Sequence, residues 1–243
     1  ISQERFHRIT QEVLSLYRPQ LPYTDEEFSL KMAWDDDSHE SEAVQTYGRD
    51  GKKWFLKVTG GMARDPHMSE AGYALMVCHE IGHFIGGEPY KRDFPSGYLW
   101  SSAEGQADYF AAAKCFKRYL QKTSNPPLFG HVDLDYAREL CERESSNPWQ
   151  CEKVISAGND LANYFYKRRL NNDWPSGPQL NGDFSNLEPV FMTKSSHPFP
   201  KCRLQTYVAG ALCDKTGVGD GYCTRKKSEG KRSRPRCWFA PQK

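Results

Sequence analysis

The sequence predicts an α+β fold that is mostly helical, with a small antiparallel sheet beside one apolar helix and a C-terminal tail pinned by disulfides. Three observations carry that expectation. Apolar residues recur at helical spacing in several stretches, three short stretches between residues 28 and 59 have strand character, and seven of the eight cysteines fall at or beyond Cys115. A chain of 243 residues can bury a sizeable core as one domain with an appendage, and the composition divides it at 1–205 and 206–243.

Taken in order, Phe6, Ile9, Val13 and Leu16 share one helical face, and Pro19 ends that helix. Phe28, Leu30, Met32 and Trp34 alternate with Ser29, Lys31 and Ala33, as in a strand with one buried face. Asp35, Asp36 and Asp37 follow, and with no ligand pattern around them a solvated loop is favoured over a calcium site. Residues 43–47 and 53–59 read as two further strands joined by the turn Gly48-Arg49-Asp50-Gly51. Asp65-Pro66 offers the start of the apolar helix, Tyr73, Met76, Val77 and Phe84 keep its spacing, and Gly86-Gly87 stops it. Residues 88–100 read as a loop, and 101–113 as a helix capped by its serines. Two scaffold helices are expected over 133–144 and 148–170, with Cys141 and Cys151 bracketing their connection and able to pair. Residues 171–189 have the Asn, Pro, Gly and Asp content of a long loop.

Inside the apolar helix stands His79-Glu80-Ile81-Gly82-His83. Residues four apart share a helix face, so both imidazoles can address one ion, and Glu80 projects beside them as a base for a metal-activated water. The alternative is a buried helix with two satisfied histidines, which is costly without partners or a metal. One loop later, Glu104 and Asp108 are again four apart on a helix. Zinc needs a third protein ligand, which Glu104 supplies in a two-His, one-Glu site, and Asp108 can accept the other N–H of a ligand histidine. The competing role for Glu104 is a capping box with Ser101. Cys78 adjoins His79 but lies on another face of the helix, as a packing residue or disulfide partner. In zinc proteases an edge strand beside the metal helix commonly takes up the substrate backbone. That makes Trp54, Leu56 and Val58 of the third strand substrate-binding candidates, an ordinary interior strand being the alternative.

His-Glu-x-x-His followed by a helical Glu-x-x-x-Asp resembles the gluzincin signature. The segment Glu104-Gly105-Gln106-Ala107-Asp108-Tyr109-Phe110-Ala111-Ala112 is similar to the second helix of HtpX-type and CAAX-prenyl-endopeptidase-type zinc peptidases. Val58-Thr59-Gly60-Gly61-Met62 resembles that family's strand end before the metal helix, and Ser195-Ser196-His197-Pro198 with Arg203 resembles its His-Pro motif. The resemblance implies a zincin-like domain that binds one Zn2+ through His79, His83 and Glu104, with Glu80 as the base. It further implies that His197 stabilises the oxyanion, and that Arg203 supports the site.

A net charge of +2 implies no polyanion partner by itself, so nucleic acid is not expected, and the longest apolar run, six residues from Tyr73 to Cys78, is far short of a membrane span. The chain begins at Ile1 without an apolar leader, which suits a mature secreted fragment and a piece cut out for expression equally well. Eight cysteines suggest an oxidising compartment, periplasmic or extracellular. The expected function is that of a zinc endopeptidase acting on a peptide or protein substrate. The alternative is a silent or latent protein of the same fold that binds an anionic or envelope partner through the basic residues 225–236, which otherwise read as a solvated loop.

Overall fold

Ser2 caps helix α1 (Gln3–Tyr17) by accepting from the Arg5 amide, and Phe6, Ile9, Val13 and Leu14 turn to the core. The computed structural model describes residues 1–48, 51–93, 97–130, 135–168, 187–214, 223 and 230–241. After α1 the chain builds a sheet from β1 (Phe28–Ala33), β2 (Ser41–Gly48) and β3 (Gly51–Thr59), in the order β1-β3-β2. The β2–β3 pair is the expected antiparallel hairpin, but β1 runs parallel to β3, so the sheet is mixed rather than antiparallel.

The cause lies in residues 34–40, which cross over the end of β3 instead of doubling back along β1. Thr59 ties this crossing, its Oγ1 lying 2.6 Å from the Ser38 carbonyl and accepting from the Glu40 amide at 3.1 Å. Gly60 and Gly61 permit the close approach, since a Cβ there would overlap the carbonyls of Trp34 and Asp37. β3 is therefore an interior strand with a partner on each side, and it cannot accept a third strand. Trp54 stacks on Tyr23 with ring centroids 4.1 Å apart, and Leu56 and Val58 are wholly buried. Leu56 and Val58 are core and Trp54 packs against it, which corrects their assignment to the substrate.

A short helix, α2 (Gly60–Arg64), leads into α3 (Glu70–Ile85). The start expected at Asp65-Pro66 is not used. Asp65 instead closes a turn by accepting from the His67 amide, and Ser69 caps α3, accepting from the Gly72 amide at 2.9 Å while its hydroxyl donates to Asp160. All of α3 from Glu70 to Phe84 is buried, so this helix is packed on every side. The expected loop over 88–100 contains a hairpin, β4 (Tyr90–Asp93) with β5 (Gly97–Ser102). Ser101 and Ser102 end β5 rather than capping a helix, and Ala103 precedes α4 (Glu104–Phe110) with no side-chain cap. The capping box therefore does not form, which leaves Glu104 free for other partners.

α4 continues through a π-helical turn (Ala111–Cys115) into α5 (Phe116–Lys122). α6 (Asp135–Glu144) and α7 (Pro148–Arg168) fall where expected; residues 133–134, 169–170 and most of the expected loop 171–189 lie outside the described residues. α8 (Pro200–Ala211) runs across position 205, so the expected domain boundary would cut a helix.

The tail is built into the body of the protein. Trp238 is wholly buried against the backbone of α4, where a Cβ on Gly105 would overlap the indole, and its Nε1 donates to Thr206 of α8 at 3.0 Å. Arg234 donates to the Glu88 carbonyl and to Gln106, Arg232 donates to the Glu144 carbonyl, and Lys231 pairs with Glu144. In the described part of the basic run Arg234 is buried, while Lys231 and Arg232 are exposed but pair within the chain; residues 225–229 lie outside the described residues. All eight cysteines are paired, as Cys78–Cys115, Cys141–Cys151, Cys202–Cys237 and Cys213–Cys223, which fits an oxidising compartment. No described helix is long and apolar enough to cross a membrane.

Candidate metal centre

α3 and α4 pack face to face, and Gly82 makes the contact close, since a Cβ there would press on the Ala107 backbone. This brings His79 and His83 of α3 against Glu104 of α4, with ligand atoms within 4.8 Å of one another and all three side chains buried. Each imidazole is oriented through its Nδ1. That of His79 lies 2.8 Å from Asp108 Oδ1, and that of His83 lies 2.8 Å from the Ser102 carbonyl. Both acceptors require the proton on Nδ1, so both Nε2 atoms face inward as lone pairs.

There they meet Glu104 Oε2, at 3.1 Å from His79 Nε2 and 3.5 Å from His83 Nε2. A lone pair facing a carboxylate oxygen at that range is repulsive unless a proton or a cation lies between them. Glu104 Oε2 has no hydrogen-bond partner, nor does Glu80 Oε2 in the same wall. Buried oxygens left without a donor carry a desolvation cost that a cation would remove. Two neutral imidazole nitrogens and one carboxylate oxygen are also the donor set of a catalytic zinc site, so the residues fit a divalent metal ion.

Charge runs outward from these donors in an alternating chain. Asp108 accepts from Arg203 Nε at 2.8 Å, from the second Arg203 nitrogen at 2.6 Å and from the Tyr207 hydroxyl at 2.8 Å, all fully buried. Burial opposes the ionised Asp108, but Arg203 and His79 outweigh it and hold its carboxyl down at about 2. Burial likewise works against a charged His79, yet Asp108 and Glu104 prevail and push its pKa up to about 9. For Glu104 the penalty of burial is overcome by His79 and His83, and its carboxyl lies far below the usual range.

His197 approaches from the strap before α8, its Nε2 3.1 Å from Glu104 Oε2. Burial of its inner edge depresses its pKa despite the pull of Glu104, and solvent at the remaining 55% of the side chain moderates that effect. The donors open into a cleft of about 460 Å³ walled by Ser41, Glu42 and Ala43 of β2, by Met62, Met76 and Phe165, and by Lys91. No protein-family model, curated protein or solved structure matches this chain, so its geometry alone carries the reading.

Of the residues expected from sequence, His79, Glu80, His83, Glu104, Asp108, His197 and Arg203 all converge here, whereas Leu56 and Val58 lie in the core and Trp54 packs against it. Three participants were not foreseen. Tyr207 stands four residues after Arg203 on the same face of α8, a spacing that could have revealed it. Ser102 acts through its main-chain carbonyl and Lys91 sits in a hairpin read as loop, and neither leaves a signal in the sequence.

Proposed function

We propose that this chain is a zinc-dependent peptidase of the gluzincin kind, resembling the HtpX and CAAX-prenyl-endopeptidase group. The observation that carries the reading is the pair of unpartnered buried oxygens, Glu104 Oε2 and Glu80 Oε2, facing two inward imidazole nitrogens at the head of an open cleft. A zinc ion held by His79, His83 and Glu104 would polarise a peptide carbonyl and acidify a water. Glu80 Oε2, with no donor of its own, would serve as the base for that water and as the acid for the departing amine. Asp108, held by Arg203 and Tyr207, keeps His79 in the Nδ1–H tautomer throughout. His197, half exposed at the cleft, is placed to donate to the developing oxyanion.

Edge strand β2, rather than β3, is where substrate backbone can pair. The Thr59 amide donates to the Glu40 carbonyl, so by alternation the even-numbered residues of β2 bond to β3 and the main-chain groups of Ser41 and Ala43 point to the outer edge. Both residues line the cleft, and no described strand occupies that edge. In the described tail Lys231, Arg232 and Arg234 are engaged within the chain, so these three give the anionic-partner alternative no support.

Glu80→Gln is the test. Peptide hydrolysis should fall about 10²- to 10⁴-fold, the usual contribution of a general base, while metal content stays near that of the wild type. Retained hydrolysis in this variant would remove the peptidase reading.

A further inference from the structure

We infer that Lys91 is a positioning residue which withholds one oxygen of Glu104 from the metal and so preserves the open coordination position. The inference rests on the metal-centre reading above. Lys91 Nζ lies 2.6 Å from Glu104 Oε1, whereas Oε2 is the oxygen turned to the histidine nitrogens and left without a donor. The carboxylate is divided between an ammonium ion on one side and the metal on the other.

The hairpin is built to deliver this contact. Tyr90 pairs with Ser102 and Arg92 with Tyr98, so β5 advances four residues while β4 advances two, and Lys91 sits at the irregularity without a partner across the ladder. Such irregularities re-aim side chains. Here the side chain of Lys91 runs along the cleft wall to the buried Glu104, beside the strand end whose Ser102 carbonyl orients His83.

A catalytic metal centre needs one position free of protein ligands. A glutamate able to present both oxygens would fill it. With Oε1 held by Lys91, only Oε2 is available, and the lysine acts through Glu104 without needing to touch the substrate.

The test compares cobalt(II) binding by the wild type, Lys91→Met and Lys91→Arg, reading affinity and the visible absorption that reports coordination number. In Lys91→Met the ion loses a neighbouring cation and gains a second oxygen. Cobalt should then bind about tenfold more tightly, with weaker absorption bands as the coordination number rises. Lys91→Arg, which keeps the charge and the donor, should retain the wild-type spectrum. A lysine that merely supports Glu104 would give the opposite sign, a 10- to 100-fold loss of affinity; that result, or a spectrum unchanged in Lys91→Met, overturns the inference. A wild type that binds no cobalt would instead overturn the metal-centre reading beneath it. Thermal melts of the three proteins verify that each is folded.

Discussion

The α3–α4 side of the centre and the α8–tail side reach the same carboxylates by different routes. On the first side the donors lie on two buried helices separated only by the β4–β5 hairpin, tied by Cys78–Cys115 and packed through Gly82. On the second, Arg203 and Tyr207 reach Asp108 from 95 and 99 residues away, on a helix held in place by Cys202–Cys237 and by Trp238 wedged against Gly105. The donor set is therefore local in sequence, while its orientation depends on long-range closure. The donors and the orienting Asp108 can be recognised from helix spacing, whereas the groups that hold Asp108 come from a distant helix.

Arg203→Met attacks the long-range side most directly. It leaves Asp108 buried with its main cation gone, and should cost about 3–5 kcal/mol in denaturant unfolding. Metal affinity that survived this loss intact would reduce α8 to scaffold. Next comes the double change Cys202→Ser, Cys237→Ser, which opens a link between residues 35 apart. The chain-entropy relation gives about 4 kcal/mol, seen as a fall in Tm of roughly 10 °C, with metal affinity weakened as well.

Lys117 joins the two sides. Buried on α5, it donates at 2.7 Å to the Ala211 and Cys213 carbonyls at the end of α8, and burial lowers its pKa to about 8. The unfolded chain keeps this proton up to its ordinary lysine pKa near 10.4, so between pH 8 and about 10 the native state binds fewer protons and gains stability as pH rises. The gain relative to Lys117→Met should approach about 3 kcal/mol across that window, and is read from urea midpoints at each pH. A flat difference would mean the ammonium stays charged between its two carbonyls.

Asp108→Asn is nearly isosteric but strips the buried Arg203 of its carboxylate, so it should destabilise the fold about as much as Arg203→Met. Zinc affinity, measured by competition with a chelator, should fall about 10- to 100-fold as His79 loses its tautomer control.

What could be read from sequence follows the same division. His79, His83, Glu104 and Asp108 are legible because i, i+4 spacing maps directly to a helix face. The parallel pairing of β1 was hidden because alternation specifies which face is buried and not which neighbour is taken. The true start of α3 depends on Ser69 donating to Asp160, a residue 91 positions away, while Asp65-Pro66 gave an equally good local signal. Residues 90–102 lack strand alternation, so the hairpin that delivers Lys91 and the Ser102 carbonyl read as loop. The tail has no periodicity because Trp238, Arg234 and its cysteines are held one by one rather than along a face.

The two histidines also differ in how they withstand mutation. His83 is oriented by a main-chain carbonyl, which no substitution at Ser102 can delete, so drift at that position is harmless to the donor unless the strand itself shifts. His79 is oriented by a side chain, and a single codon change at Asp108 removes its acceptor. In a library of random variants, then, losses of metal binding outside the donors themselves should concentrate around Asp108, Arg203 and Tyr207, and at Gly82, where a Cβ would press on α4, rather than at Ser102.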